Sequence, residues 1–333
     1  MCTKPLYRVK DFVHIKDGRP DQFFANTRSE LEAKELYKPP RYIVQRINCG
    51  QCLECRNNYA KQWAFRAIKE ASKYEHNTMV TLTYNDENVP KGHAIDPKTG
   101  EVTESLTLCK EDHQKFMKRL RKAYQGIKIR FILAGEYGEE KDRPHYHAIL
   151  FNFRPEDMTP YKWSYCEWSN EKNLLYKSKI MDKIWGKGFV DLNEVNFETC
   201  RYVAGYVTKK LKGPKAAEQY ELKGQIPPYI CMSRNPGLAQ EYFENNKEVF
   251  YEKKKIWTQT KKGLLEFKPG RYFDKLMEKD NPEQYEKIKE ERRKRSEEIM
   301  KQVLKNTSLN LDEYMEQKNY LSEQKLKKLK RQL

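Results

Sequence analysis

The chain has 333 residues, with 65 Lys and Arg against 48 Asp and Glu, a formal net charge of +17 and a pI near 9.3. An excess of one sign on this scale points to nucleic acid or another acidic surface as the partner. No apolar run approaches the roughly 18 residues of a membrane span, and the N-terminal Met-Cys-Thr-Lys-Pro-Leu-Tyr lacks the apolar core of a secretory signal, so no membrane partner and a cytoplasmic location are expected.

Hydrophobic residues make up 38% of the chain, enough for a core. Residues 1–48 read as a polar, irregular N-terminal extension with a short apolar patch at Tyr42-Ile-Val44. Cys49-Gly-Gln-Cys52-Leu-Glu-Cys55 follows, with cysteines three apart on a turn that leads into a helix. Such thiols either hold a structural Zn or an iron–sulfur centre, with a fourth ligand from Cys2, Cys231 or a histidine, or stand as free thiols at a helix start.

From Cys55 to Tyr74 the pattern is helical, with Ala60, Ala64, Ala67 and Ala71 at turn spacing. Met79 to Tyr84 is β-branched and alternating, hence a strand. A polar loop with Pro90, Gly92, Pro97 and Gly100 leads through a short extended piece, Ser105–Leu108, into a helix from Lys110 to Tyr124. His113, Phe116, Met117, Leu120 and Tyr124 form its apolar stripe, which reads as core. Lys115, Lys118, Arg119, Arg121 and Lys122 occupy much of the rest, a basic surface able to hold phosphates.

Two strands come next, Ile127–Glu136 and Arg143–Phe151, joined by a charged turn. Side chains alternate across a strand, so His145 and His147 leave one face while Tyr146 and Ala148 leave the other. An antiparallel hairpin brings Glu136 beside the two imidazoles. Two neutral imidazoles and one carboxylate, with positions left open, suit a divalent ion such as Mg or Mn that holds a substrate oxygen.

Residues 154–177 read as a polar insertion, Lys179–Trp185 as a short helix and Gly188–Val195 as a strand. Thr199–Leu211 is helical, 213–228 a loop, and Tyr229–Gly237 a short strand and turn. The segment 251–333 carries 23 Lys and Arg and 15 Asp and Glu with few apolar residues, and is expected to form exposed helices or to fold on a partner.

Tyr202 and Tyr206 are one turn apart on the 199–211 helix, and Lys209 follows near the same face. An isolated pair of this spacing usually belongs to a packed aromatic stripe. A phenol with a reference pKa of about 10 is a weak nucleophile. It attacks a phosphodiester when a metal polarises the phosphoryl oxygen and a cation such as Lys209 or Lys210 stabilises the phenolate.

Together these motifs resemble the His-hydrophobic-His (HUH) endonucleases that start rolling-circle replication. Thr81-Leu-Thr-Tyr84 is similar to their first motif, His145-Tyr-His147 to their second and Tyr202-x-x-x-Tyr206-x-x-Lys209 to their third. Cys49 to Arg56, Lys115 to Lys122, Gly135 to Gly138, Arg143 to Phe151 and Met232 to Gly237 narrow the resemblance to the replication initiators of microviruses of the gokushovirus type. It covers residues 49–245.

The resemblance implies an α+β fold, a central antiparallel sheet with helices packed on it and a ferredoxin- or RRM-like core; the charged helical C-terminal tail, read from its composition, carries little of it. The resemblance divides the chain into 1–48, a nicking and joining domain at 49–250, and 251–333. It implies metal-dependent nicking of single-stranded viral DNA at the origin, a 5′-phosphotyrosine on Tyr202 or Tyr206, and later strand joining, in the cytoplasm of a bacterial host. The metal ligands are then His145, His147 and Glu136. Lys115, Lys118, Arg119, Arg121, Lys122, Arg143 and Lys210 meet DNA, and a host replication helicase is a candidate partner. A plasmid relaxase or transposase of the same chemistry, or a non-catalytic single-strand binder using basic helices and stacked tyrosines, are the alternatives. A histidine-triad hydrolase wants a third alternating histidine, and residue 149 is Ile.

Overall fold

The computed structural model describes residue 4 and residues 6–17, 19–26, 28–35, 41–138, 141–166, 171–209, 214–261 and 263–331. The side chains of residues 28, 29, 33, 166, 171, 206–209, 214–217 and 325–331 lie outside that description. The chain divides into two compact units, Met1–Asn58 with Arg292–Leu333, and Tyr59–Glu291. No helix among the described residues is long and apolar enough to cross a membrane.

The first unit holds a three-stranded antiparallel sheet of order β2-β1-β3, from β1 (Leu6–Lys16), β2 (Arg19–Ala25) and β3 (Tyr42–Ile47), with a short helix α1 (Arg28–Ala33) between β2 and β3. The polar, irregular reading of residues 1–48 is therefore corrected. Among the described residues, Val9 and Ala25 with Leu31 of α1 form the buried centre of this sheet, so its strands carry little of the apolar signal that sequence patterns register. The helix α2 (Leu53–Ala71) starts in this unit and runs on into the residues of the second.

The second unit is built on a seven-stranded antiparallel sheet. Its strands are β4 (Asn77–Tyr84), β7 (Arg130–Tyr137), β8 (Pro144–Phe151), β9 (Thr159–Cys166), β10 (Glu171–Lys177), β11 (Gly188–Glu194) and β12 (Tyr229–Met232). Their order is β12-β7-β8-β4-β11-β10-β9. A separate hairpin, β5 (Lys91–Ile95) with β6 (Val102–Leu106), replaces the loop expected after β4.

Period-two alternation sorts the central strands between two helical layers. Val80, Leu82, Tyr146, Ala148, Leu150, Val190 and Leu192 face the helices α3 (Lys110–Ala123) and α4 (Lys179–Trp185), where Phe116, Leu120, Met181 and Trp185 are fully buried. Met79, Ile132, Ile149 and Phe151 face α2 and α5 (Phe197–Lys209). The alanines of α2, Ala64, Ala67 and Ala71, let that helix lie close to the sheet. Helix ends follow local rules. The Ser178 side chain accepts from Met181 N to start α4, and Gly186 at φ 63° ends it in the left-handed region that glycine adopts without strain.

The expected α+β class, central antiparallel sheet and C-terminal helices are all present. Within residues 154–177 the strands β9 and β10 pair on the sheet edge. The β9 aromatics Tyr161, Trp163 and Tyr165 are more than half exposed, so no core pattern marked the pair as sheet. Part of the expected 213–228 loop is helix α6 (Pro214–Leu222), and α7 (Gln240–Asn245) follows β12. After a π-helical turn at Val249–Lys253 come the hairpin β13 (Ile256–Thr260) and β14 (Gly263–Phe267), then α8 (Arg271–Asp280), α9 (Pro282–Lys305) and α10 (Leu311–Arg331). This C-terminal region is not all exposed helix. Ile256, Phe273, Met277, Tyr285 and Ile288 are buried with Phe65, Phe243 and Phe250 in one cluster.

Candidate active site

The β7–β8 hairpin pairs Glu136 directly with His145, and Ala134 with His147. On the other side of β8, β4 sets Thr83 opposite His145 and Thr81 opposite His147. Residues opposite one another leave the same face of a sheet, so one carboxylate, two imidazoles and two threonines share a small area on the α5 side. Glu136 and His147 are buried, and His145 is half-buried.

One oxygen of Glu136, Oε1, lies 2.8 Å from His145 Nε2 and 3.3 Å from His147 Nε2. The two rings meet edge to face with centroids 4.8 Å apart. Each ring is oriented from behind. His145 Nδ1 faces the Arg143 carbonyl at 3.1 Å, and His147 Nδ1 faces Thr81 Oγ1 at 3.0 Å. A carbonyl only accepts, so the hydrogen on His145 Nδ1 donates to it. His145 Nε2 then either carries a second proton or turns a lone pair toward the carboxylate. Burial raises the Glu136 pKa, but hydrogen bonds from His145 and His147 outweigh it and the net shift is downward, toward the carboxylate. Three donor atoms within 4.8 Å of one another, two nitrogen and one oxygen, with both imidazoles braced at Nδ1, match the donor set and outer bracing of a divalent metal site.

The opposite face of the same strand is anchored. Tyr146 donates to the Cys109 carbonyl at 2.6 Å and accepts from Cys109 N at 3.0 Å. Tyr84 donates to Asp112 Oδ2 at 2.8 Å and meets the Tyr146 hydroxyl at 3.0 Å. This network fixes β4 and β8 against the start of α3 and so fixes the two imidazoles on the other side. His113 belongs to it, not to the metal set. Its Nδ1 meets the Tyr229 hydroxyl at 2.8 Å and its Nε2 lies 3.4 Å from Cys231 Sγ, and burial pushes its pKa down to about 4.

Tyr202, in the middle of α5, is half-buried with its ring edge to face against His147, centroids 5.1 Å apart. The structure thus brings Glu136, His145, His147 and Tyr202 together. The helix backbone continues one turn to Tyr206 and ends at Lys209, whose side chains lie outside the described residues, as does all of Lys210.

A match to the family model for replication-associated proteins of the ORF2 type covers residues 77–211, the span from β4 through α5 that carries all four groups. The replication-associated protein ORF2 of Spiroplasma virus 4 is 32% identical over 304 residues, 88% of this chain and 86% of that protein. The chain belongs to the microvirus-type replication-associated protein family. Two further relatives are the replication-associated protein VP4 of Bdellovibrio phage phiMH2K, 27% identical over 71% of this chain and 69% of its own length, and ORF4 of Chlamydia phage 1, 29% identical over 70% of this chain and 54% of its own. No solved structure matches.

Against this family background, the basic residues expected to meet DNA fall in two places. Phe116, Met117 and Leu120 bind α3 to the sheet face opposite the imidazoles, so Lys115, Lys118 and Lys122 are exposed on that far side. Arg119 donates to the Ile184 and Trp185 carbonyls at 2.7 and 2.8 Å and thereby caps α4. Arg121 donates to the Ile129 carbonyl at 3.2 Å. Arg143 is beside the site. It bridges Asp86 Oδ1 at 2.7 Å and the Tyr84 carbonyl at 2.8 Å, pinning the hairpin turn to the end of β4.

Two features escaped the sequence reading. Thr81 positions His147. Phe189 lies opposite Thr83, so Glu136, His145, Thr83 and Phe189 form one row across β7, β8, β4 and β11, with Phe189 59% exposed. The signal was present: in Phe189-Val-Asp-Leu-Asn193 an aromatic occupies the face otherwise held by Asp191 and Asn193. The sulfurs of Cys49, Cys52 and Cys55 also come together, within 4.8 Å of one another. Cys2 lies outside the described residues.

Proposed function

We propose that this replication-associated protein nicks single-stranded viral DNA at its origin and later rejoins it. The observation that carries the reading is the Tyr202 ring resting on His147 of the Glu136–His145–His147 set. Those three residues would hold Mg or Mn. When bound, such an ion polarises a phosphoryl oxygen and offsets the charge that builds on it during displacement.

The chain's own groups supply the rest. Tyr202 Oη attacks the phosphorus. An Oη–P bond forms, the P–O3′ bond breaks, the phenol proton passes to solvent and the departing 3′ oxygen takes one up. The products are a 5′-phosphotyrosine and a free 3′ hydroxyl. The reverse displacement, by a 3′ hydroxyl on the phosphotyrosine, rejoins a strand. Tyr206 would allow a second transfer, and Lys209 or Lys210 would steady the phenolate. The Phe189 ring, two strands from His145 and about 10 Å away at ordinary sheet spacing, offers a stacking surface for a base next to the cut. Lys115, Lys118 and Lys122, on the far face, would meet a different part of the nucleic acid. A host helicase remains a candidate partner in this scheme, and the bacterial cytoplasm its setting.

The test is a covalent adduct. The purified protein incubated with origin single strand and Mn or Mg gives a protein–DNA band resistant to denaturant. The band is absent with chelator and in His145→Ala and His147→Ala, which still bind DNA. Peptide mass spectrometry places the DNA on Tyr202 or Tyr206, and the double Phe variant gives none. Binding without any adduct would leave the non-catalytic single-strand binder in its place, and an adduct in the double Phe variant would refute the nucleophiles.

A further inference from the structure

We propose that Cys49, Cys52 and Cys55 bind one zinc ion that holds the first compact unit together. Cys49 follows the end of β3, and Cys52 and Cys55 lie at the start of α2, so one ion on these three sulfurs ties sheet to helix within that unit.

The geometry is the first support. Cys52 and Cys55 are buried, Cys49 is half-buried, and the three Sγ atoms lie within 4.8 Å of one another. Tetrahedral zinc with bonds of about 2.3 Å sets its sulfurs about 3.8 Å apart, so they reach it by shifts of about 1 Å or less. An Fe4S4 core holds its cysteine sulfurs further apart than this group does. Three thiolates leave one tetrahedral position for a fourth donor.

The backbone gives an independent sign. The N–H groups of Gln51 and Cys52 both point at Cys49 Sγ, at 3.4 and 3.2 Å. Two amides converging on one sulfur orient it and hold it in place on the turn, as outer groups do for a metal ligand. Gly50, at φ +72° with open space around its Cα, makes the turn that aligns them. Cys52 and Cys55 stand at the N-terminal end of a 19-residue helix, whose unpaired N–H groups would offset part of the charge that three metal-bound sulfurs bring.

The surroundings show why such an ion matters. The three cysteines form a buried cluster of their own. The sheet of this unit is centred on Val9, Ala25 and Leu31, with Tyr7, Phe23, Tyr42 and Val44 around them. A sheet centre of three buried residues supplies little stability of its own, so an ion on the three sulfurs would add to what holds this sheet to the start of α2.

The test is metal analysis of the full chain carrying His145→Ala and His147→Ala, so that zinc at the other site does not count. About one zinc per chain is expected. Adding Cys52→Ser with Cys55→Ser removes it, and adding Cys109→Ser does not. Titrating the thiols of the same His145→Ala, His147→Ala protein with an organomercurial releases the zinc in step with thiol blocking, a readout that needs no folded cysteine variant. Cobalt in its place gives a thiolate charge-transfer band. A protein without zinc, one that keeps it after both serine changes, or one that carries iron overturns the proposal. None of these results depends on the nicking reaction.

Discussion

Thr81 does more than extend β4. Its Oγ1 lies 3.0 Å from His147 Nδ1 and so sets the direction of Nε2. Groups that brace a ligating imidazole typically cost 10- to 100-fold in metal affinity when removed. Thr81→Val keeps shape and strand propensity but loses the hydroxyl. The Mn concentration for half-maximal adduct formation should rise about 10-fold or more, while yield at saturating Mn stays near that of the parent protein. An unchanged metal titration would remove Thr81 from the site. At this scale the histidines were legible because the alternation of a strand needs no tertiary information. Glu136 was reachable because a hairpin register fixes its opposite residue. Tyr202 was legible as a residue but not as a neighbour, since only the seating of α5 on the sheet puts its ring against His147. The basic stripe of α3 was legible only in part for the same reason: its charges and its apolar stripe were plain, but the face of the sheet that it covers was not.

Among the elements, β11 links the row of Glu136, His145 and Thr83 to open surface. Its Val190 and Leu192 are buried against α3 and α4, and its other face is turned to the α5 side. An aromatic as exposed as Phe189 gains nothing from burial, so a stacking partner gives it a use. Loss of one aromatic–base stack costs about 1–3 kcal/mol, roughly 30-fold in Kd at the middle of that range. Phe189→Ala should weaken origin single-strand binding by about that factor, Phe189→Trp should not, and thermal stability should be nearly the same in both. Equal affinity of Phe189→Ala and the parent by fluorescence anisotropy would sink this role. Central elements such as α4 and β11 could be placed to within a residue, since both carry a strong periodic pattern and their ends are marked by Ser178, Gly186 and Gly188. The strands missed, among them β1, β2, β3, β5, β9, β10, β13 and β14, lie in small or edge sheets that bury one face at most. Their stability comes from pairing with a neighbour, which leaves a weak trace in the order of residues.

At the scale of the molecule, one buried ion pair joins the sheet to the C-terminal cluster of the second unit. Arg130 on β7 and Glu70 on α2 meet Nε to Oε1 at 2.6 Å, with side chains 5% and 2% exposed. Arg130 also donates to the carbonyls of Asn235 and Pro236, at 3.3 and 2.7 Å. The other Glu70 oxygen, Oε2, accepts from Ala239 N at 2.8 Å, and Arg66 Nε donates to the Leu238 carbonyl at 3.2 Å. Every contact on residues 235–239 in this set runs back to α2 or β7, and the chain then enters the cluster of Ala239, Phe243, Phe250 and Phe273 around Phe65. The Met232-to-Gly237 motif thus has a structural use, as the strap between two cores. Glu70→Ala leaves the Arg130 guanidinium buried without its carboxylate, a loss of about 3–5 kcal/mol. For a unit of this size that lowers Tm by roughly 10 °C. Well below that temperature the variant should still form the tyrosine adduct, because Glu136, His145, His147 and Tyr202 are not among the strap's partners. A Tm within two or three degrees of the parent, at roughly 1 kcal/mol of lost stability, would mean that the strap is not what holds the two cores together.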